Sequence, residues 1–293
     1  MEIKHVAVIG AGFMGSGIAQ VSAQAGYSVS LIDIAGERLS FACASIEWSL
    51  AKLETKGQLN DRAATVAGRI RTSTDYHAAA RADLVVEAVF ENVDTKLETV
   101  RALDAIVRPD SVIGSNTSTI PITTLAGASS RPERVIGIHF FGPVPLMRLV
   151  EITPNPKTSQ DVIDAVLAFG ASVGKRPVLV KKDVPGFIMN RIFGSMTCEA
   201  VRLVEDGIGT IEDIDQGMCD GFNLRVGPLC IADLAGLDIA LNAFQVMHDL
   251  DPARMPAPPA LLARMVAEGK LGAKSGEGFY RWEKNGKRLG AAF

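Results

Sequence analysis

The sequence predicts a doubly wound α/β sheet followed by a second, smaller, all-helical domain. Three observations lead there. Apolar runs of strand type recur through the first 183 residues, separated by segments of helix length. The first strand-to-helix turn carries glycines in G-x-G-x-x-G spacing. After Asp183-Val184-Pro185-Gly186 the apolar period becomes helical throughout. The expected division is therefore residues 1–183 and 184–293.

The chain of 293 residues, 47% hydrophobic, is long enough to bury two cores. Its net charge of −3 gives no electrostatic reason to expect nucleic acid or an anionic membrane as partner. No run reaches the roughly eighteen apolar residues of a membrane span. The sequence starts just ahead of the first strand, so no leader and a cytoplasmic location are expected. Cys43, Cys198, Cys219 and Cys230 lack C-x-x-C spacing and neighbouring histidines; they read as reduced thiols, and no metal site is expected.

Residues 6–9 (VAVI) form the first strand, and Gly10, Gly12 and Gly15 open a helix through Ile18, Ala19 and Val21. Gly10 permits a tight turn, Gly12 lets backbone approach a pyrophosphate, and Gly15 lets helix and strand pack closely. The pyrophosphate would sit at the positive end of that helix. A second strand, 29–32, ends at Asp33, eighteen residues past Gly15. A carboxylate there accepts hydrogen bonds from an adenosine ribose and repels a 2′-phosphate, favouring NAD over NADP, with Arg38 nearby as the opposing charge.

Residues 36–56 follow as a long amphipathic helix ending at Gly57, with Leu39, Ala42, Ile46, Leu50 and Leu53 on one stripe. Lys52 and Lys56, four apart, project from one face; read alone they are a solvated face rather than a phosphate site. Residues 84–89 (LVVEAV) read as a strand buried on both faces, followed by a helix to about Val107. Arg108-Pro109-Asp110 breaks that helix, and residues 111–115 form the next strand. It runs into Asn116-Thr117-Ser118-Thr119, at the strand edge where open sheets bind ligands. A helix N-cap ahead of Pro121 explains these residues equally well.

His139 ends an apolar strand and enters a Gly/Pro-punctuated loop, again at the ligand edge. Glu151, twelve residues on, stands in another short apolar strand, where an unpaired carboxylate is costly. His139 is its natural partner: the pairing would orient the imidazole and stabilise its protonated form, as a general base requires. A helix over 159–173 and a strand over 177–180 complete about eight strands. Beyond the hinge come helices over 186–206, 212–220, 228–250 and 260–268, then a glycine-rich tail over 270–280. Asn190 falls in the first turns of the first of them. The long apolar stripes of these helices lead us to expect a homodimer.

From GAGFMGSGIA to KSGEGFY, the chain resembles the 3-hydroxyacyl-CoA dehydrogenases, most closely the bacterial 3-hydroxybutyryl-CoA dehydrogenases. The most specific stretches are EAVFEN (87–92), SNTS (115–118), HFFGPVPLMRLVE (139–151) and PGFIMNR (185–191). The resemblance implies a Rossmann-type first domain, NAD as cofactor, an acyl-CoA substrate and a helical dimerisation domain. It implies that His139 is the catalytic base and that Glu151 orients and charges it. Ser118 and Asn190 would hydrogen-bond the substrate's 3-oxygen and thioester region. Gly10, Gly12, Phe13, Met14, Gly15, Asp33, Glu91, Lys96, Asn116 and Ser118 would line the NAD site. Lys52 would lie on the CoA-contacting helix, which lifts it above the solvated-face reading. The chain departs from the family pattern at Gly142, where Asn is usual, and at Leu224-Arg225-Val226, where Arg225 adds a charge. Two other readings are carried: a dehydrogenase of a free hydroxy acid on the same fold, and a dinucleotide-binding sensor, which would lack His139 or Glu151.

Overall fold

Why the first half forms a sheet is plain in its six inner strands, which are buried almost without interruption. The structure, a computed structural model, describes residues 1–293 and divides into two compact units, 1–184 and 185–293. In the first, β1 (His5–Ile9) leads into α1 (Phe13–Gln24), β2 (Ser28–Ile32), α2 (Gly36–Thr55), α3 (Ala63–Ala67) and β3 (Ile70–Ser73). Then follow β4 (Leu84–Glu87), α4 (Val93–Ile106), β5 (Val112–Ser115), α5 (Ile122–Ala126) and β6 (Val135–Phe140). The unit closes with β7 (Leu149–Pro154), α6 (Gln160–Ser172) and β8 (Arg176–Leu179). The eight strands make one sheet in the order β3-β2-β1-β4-β5-β6-β7-β8.

The order reverses between β1 and β4, both parallel to each other, so a crevice opens at their carboxyl ends. One pair departs from the parallel pattern. β6 and β7 run antiparallel, because eight intervening residues are too few for the crossover that parallel neighbours need. The register sets His139 directly opposite Glu151. β4 ends two residues earlier than its apolar run suggests: the Glu87 carboxylate accepts the Val89 N–H at 2.7 Å and turns the chain. Asp183 caps the start of α5, accepting the N–H groups of Ile122 (3.0 Å) and Thr123 (2.7 Å).

The second unit holds α7 (Met189–Glu205), α8 (Ile211–Phe222), α9 (Pro228–Ala235), α10 (Leu237–Leu250) and α11 (Ala260–Ala267). The single helix expected over 228–250 is two, bent by 103° at Gly236, whose φ of +98° no helix interior accommodates. α8 runs on past Gly221 and closes on Asn223 in the left-handed conformation. Nor is the unit purely helical. Its tail forms a hairpin of β9 (Tyr280–Trp282) and β10 (Arg288–Ala291), whose Tyr280 and Trp282 are buried. No single helix is long and apolar enough to cross a membrane.

Asp233 fastens that hairpin. Its buried carboxylate accepts the N–H groups of Phe279 (2.9 Å) and Tyr280 (2.8 Å) and the indole N–H of Trp282 (2.9 Å). Burial, helped by the charge of Asp215, raises its pKa despite these bonds. Asp233→Ala leaves three buried donors unpaired, so a loss of roughly 3 kcal/mol or more is expected. Urea unfolding followed through Trp282 fluorescence tests this; a change below roughly 0.5 kcal/mol would show that the donors find other partners.

Candidate active site

Each glycine of the first turn has a distinct steric reason. Gly10 has φ +99°, and a Cβ there would lie 2.6 Å from the Ala88 carbonyl oxygen, across the β1–β4 crevice. At Gly15 a Cβ would lie 1.8 Å from the Gly10 carbonyl oxygen, so only glycine lets α1 pack this close. Gly12, by contrast, faces open space, with nothing within 4 Å of an added Cβ. Two positions are filled by backbone, and the third is left clear at a helix N-terminus, which is the cradle a pyrophosphate needs.

A cleft of about 410 Å³ opens beside this turn, lined by Gly10, Gly12, Phe13, Met14, Asp33 and Phe90 among others. Asp33 is almost fully buried and holds the turn shut: one carboxylate oxygen accepts the Ala11 N–H (2.8 Å), the other the Ala35 N–H (2.9 Å). Arg38 lines the same cleft. The residues therefore fit a dinucleotide.

Further along the sheet edge, His139 Nδ1 lies 2.8 Å from Glu151 Oε2, with both side chains buried. The Phe141 ring packs on the imidazole, centroids 4.4 Å apart. Asn116, in the loop after β5, accepts the Phe140 N–H with its side-chain oxygen at 2.9 Å, tying that loop to the residue after His139.

Glu91 organises the same loop from the other side. Its Oε1 accepts the Thr117 hydroxyl (2.6 Å), the Ser118 N–H (2.9 Å) and the Thr119 hydroxyl (3.1 Å). Lys96 lies not on an open surface but 1% exposed beneath the loop. Its Nζ reaches Glu87 Oε1 (2.7 Å), Glu91 Oε2 (3.2 Å) and the Val89 carbonyl (3.3 Å). Burial pushes the Glu91 carboxyl up, but the Lys96 charge, the Thr117 hydroxyl and the Ser118 N–H outweigh it and hold the group below its usual range. Glu91 is thus ionised at neutral pH.

Glu87 was not singled out from the sequence. It is wholly buried and, besides Lys96 and Val89, accepts the Ser115 hydroxyl at 2.6 Å. The signal was there: an acid closing an apolar strand needs a partner, the same reasoning that linked Glu151 to His139.

Lys52 is exposed on α2, its ammonium 3.6 Å from the centre of the Trp48 ring. Both line a cleft of about 390 Å³ with Lys56, Phe13 and Pro143–Leu146 of the loop after β6. Gly142 gives this region its shape: a Cβ there would meet the Phe13 ring at 2.5 Å. Asn190 stands in the first turn of α7, and Arg225 lines a cavity of about 510 Å³ with Cys219, Cys230 and Arg288, both in the second unit.

The 3-hydroxyacyl-CoA dehydrogenase NAD binding domain matches residues 5–184, and the C-terminal domain of the same enzymes matches residues 186–282. A protein of Deinococcus radiodurans named probable 3-hydroxybutyryl-CoA dehydrogenase is 47% identical over 277 residues, 94% of this chain and 99% of its own. The 3-hydroxybutyryl-CoA dehydrogenase of Bradyrhizobium diazoefficiens is 42% identical, with 95% of each chain covered. Among solved structures, (S)-3-hydroxybutyryl-CoA dehydrogenase of Ralstonia eutropha superposes with a TM-score of 0.91 at 40% identity, covering 96% of this chain and all of that one. With the dinucleotide cradle, the sheet order and matches spanning both units, the chain belongs to the 3-hydroxyacyl-CoA dehydrogenase family and takes NAD as its cofactor.

Proposed function

We propose that the protein interconverts a short-chain (3S)-3-hydroxyacyl-CoA, with 3-hydroxybutanoyl-CoA as the leading candidate, and the 3-oxoacyl-CoA, using His139 as general base. The observation that carries this reading is the buried His139–Glu151 pair at 2.8 Å. Committing Nδ1 to the carboxylate leaves Nε2 as the nitrogen that takes the 3-hydroxyl proton, and Glu151 stabilises the imidazolium that results. NAD, when bound, supplies the hydride acceptor. Gly10, Gly12, Gly15 and the first turn of α1 hold its pyrophosphate, and Asp33 faces its adenosine ribose.

Ser118 and Asn190 hydrogen-bond the 3-oxygen and thioester region. Lys52 holds the CoA portion in the cleft it shares with Trp48, where an ammonium and an aromatic face suit phosphate and adenine. Asn116 and Lys96 act on the cofactor side through the loop and through Glu91. The second unit is the substrate and dimerisation domain. Its exposed Phe222 (73%) and Ile208 (70%) support a homodimer. The two domains are the units 1–184 and 185–293, and we place the enzyme in the cytoplasm.

The test is NADH consumption at 340 nm with acetoacetyl-CoA, repeated with NADPH and with free acetoacetate. Turnover is expected with NADH and the thioester, and at least roughly tenfold less with NADPH, whose 2′-phosphate meets the Asp33 carboxylate. Equal rates on free acetoacetate would favour a free hydroxy acid as substrate. No turnover on any of them would overturn the proposal.

A further inference from the structure

Glu87, Lys96 and Glu91 form a buried cluster whose charges do not cancel. Lys96 Nζ has three acceptors within 3.3 Å, which calls for all three ammonium hydrogens. Glu87 accepts on both oxygens, from Val89 N–H and Lys96 on one and from the Ser115 hydroxyl on the other. That pair sums to zero wherever its shared proton sits. Glu91 then adds one uncompensated negative charge.

This charge lies close to the chemistry. Glu91 accepts the Ser118 N–H at 2.9 Å; two residues earlier, Asn116 is bonded to the Phe140 N–H, next to His139. A hydride acceptor must lie about 3–3.5 Å from the carbon whose hydroxyl His139 deprotonates, and so close to His139. The two forms of the cofactor differ there in charge: the nicotinamide ring of NAD⁺ is cationic, and that of NADH is neutral.

We propose that Glu91 is an electrostatic selector of cofactor redox state: the net negative charge of the Glu87–Lys96–Glu91 cluster tightens binding of NAD⁺ relative to NADH. It rests on the reading of this cleft as the NAD site, and goes beyond it by assigning the preference for one redox form to a named charge. A loop-positioning role alone would affect both forms equally. The charge acts only on the cationic one.

The experiment titrates the unaltered protein, Glu91→Gln, Glu91→Asp and Glu87→Gln with NAD⁺ and with NADH by calorimetry. Glu91→Gln keeps an acceptor for Ser118 and removes the charge. The ratio Kd(NAD⁺)/Kd(NADH) is expected to rise roughly tenfold, as one unit charge acting across several ångströms of a partly screened site should give. Glu87→Gln neutralises the cluster without touching Glu91 and is expected to move the ratio the same way. Glu91→Asp, which keeps the charge, is expected to leave the ratio within roughly twofold. An unchanged ratio in both glutamine variants, with binding otherwise intact, overturns the selector. Failure of the unaltered protein to bind either form would instead overturn the NAD-site reading beneath it.

Discussion

His139→Gln is expected to lower kcat by roughly 10²–10⁴-fold, the range that a positioned general base contributes. Glutamine approximates the imidazole's reach and polarity but takes no proton at neutral pH. His139 sits on a strand buried at every residue and opposite Glu151 in a fixed antiparallel register. The loss should therefore fall on kcat, with NADH affinity held within roughly threefold, because the cofactor cradle is built on β1 and α1. Stopped-flow and steady-state kinetics with acetoacetyl-CoA separate the two. Turnover within about threefold of the unaltered protein would remove His139 from the mechanism.

Lys96→Met is expected to cost roughly 3–5 kcal/mol of stability, the usual penalty for removing one partner of a buried ion pair. Glu87 is wholly buried and loses its counter-charge, while Glu91 loses the group that keeps it ionised. The double variant Glu87→Gln/Lys96→Met should recover much of that loss, because no buried charge is then left alone on β4. Urea unfolding of the variants gives both numbers. A single-variant loss below roughly 1 kcal/mol would mean that water reaches Glu87 when Lys96 is gone.

The parts of the fold that could be read from the sequence are those fixed by local constraints. The β1–α1–β2 unit was legible because three glycines and Asp33 occupy positions that backbone geometry restricts. The proximity of His139 and Glu151 was legible because a buried acid must have a partner, and few groups were available. What escaped depends on long-range packing. Apolar residues run evenly through 228–250, and Gly236 bends the chain only because α10 must leave α9 by 103°. The hairpin of β9 and β10 is held by Asp233, 46 to 49 residues away in sequence, so no local pattern marks it. Lys96 was assigned to the NAD site by family resemblance alone; only the two carboxylates above it explain why it lies inside.

The close seating of α1 limits how this enzyme can be re-engineered. Added methyl groups at Gly17 and Gly142 would press on Val144 at 2.8 Å and on Phe13 at 2.5 Å, so the helix proposed to hold the pyrophosphate lies directly against the loop leaving His139. A library that varies the inner face of α1 to alter cofactor choice would therefore disturb the approach to His139 as well. Asp33, just past β2, also holds the glycine turn ahead of α1, so the change that touches the cofactor cleft without moving that loop is at Arg38, in α2. Directed evolution toward a phosphorylated cofactor should begin there.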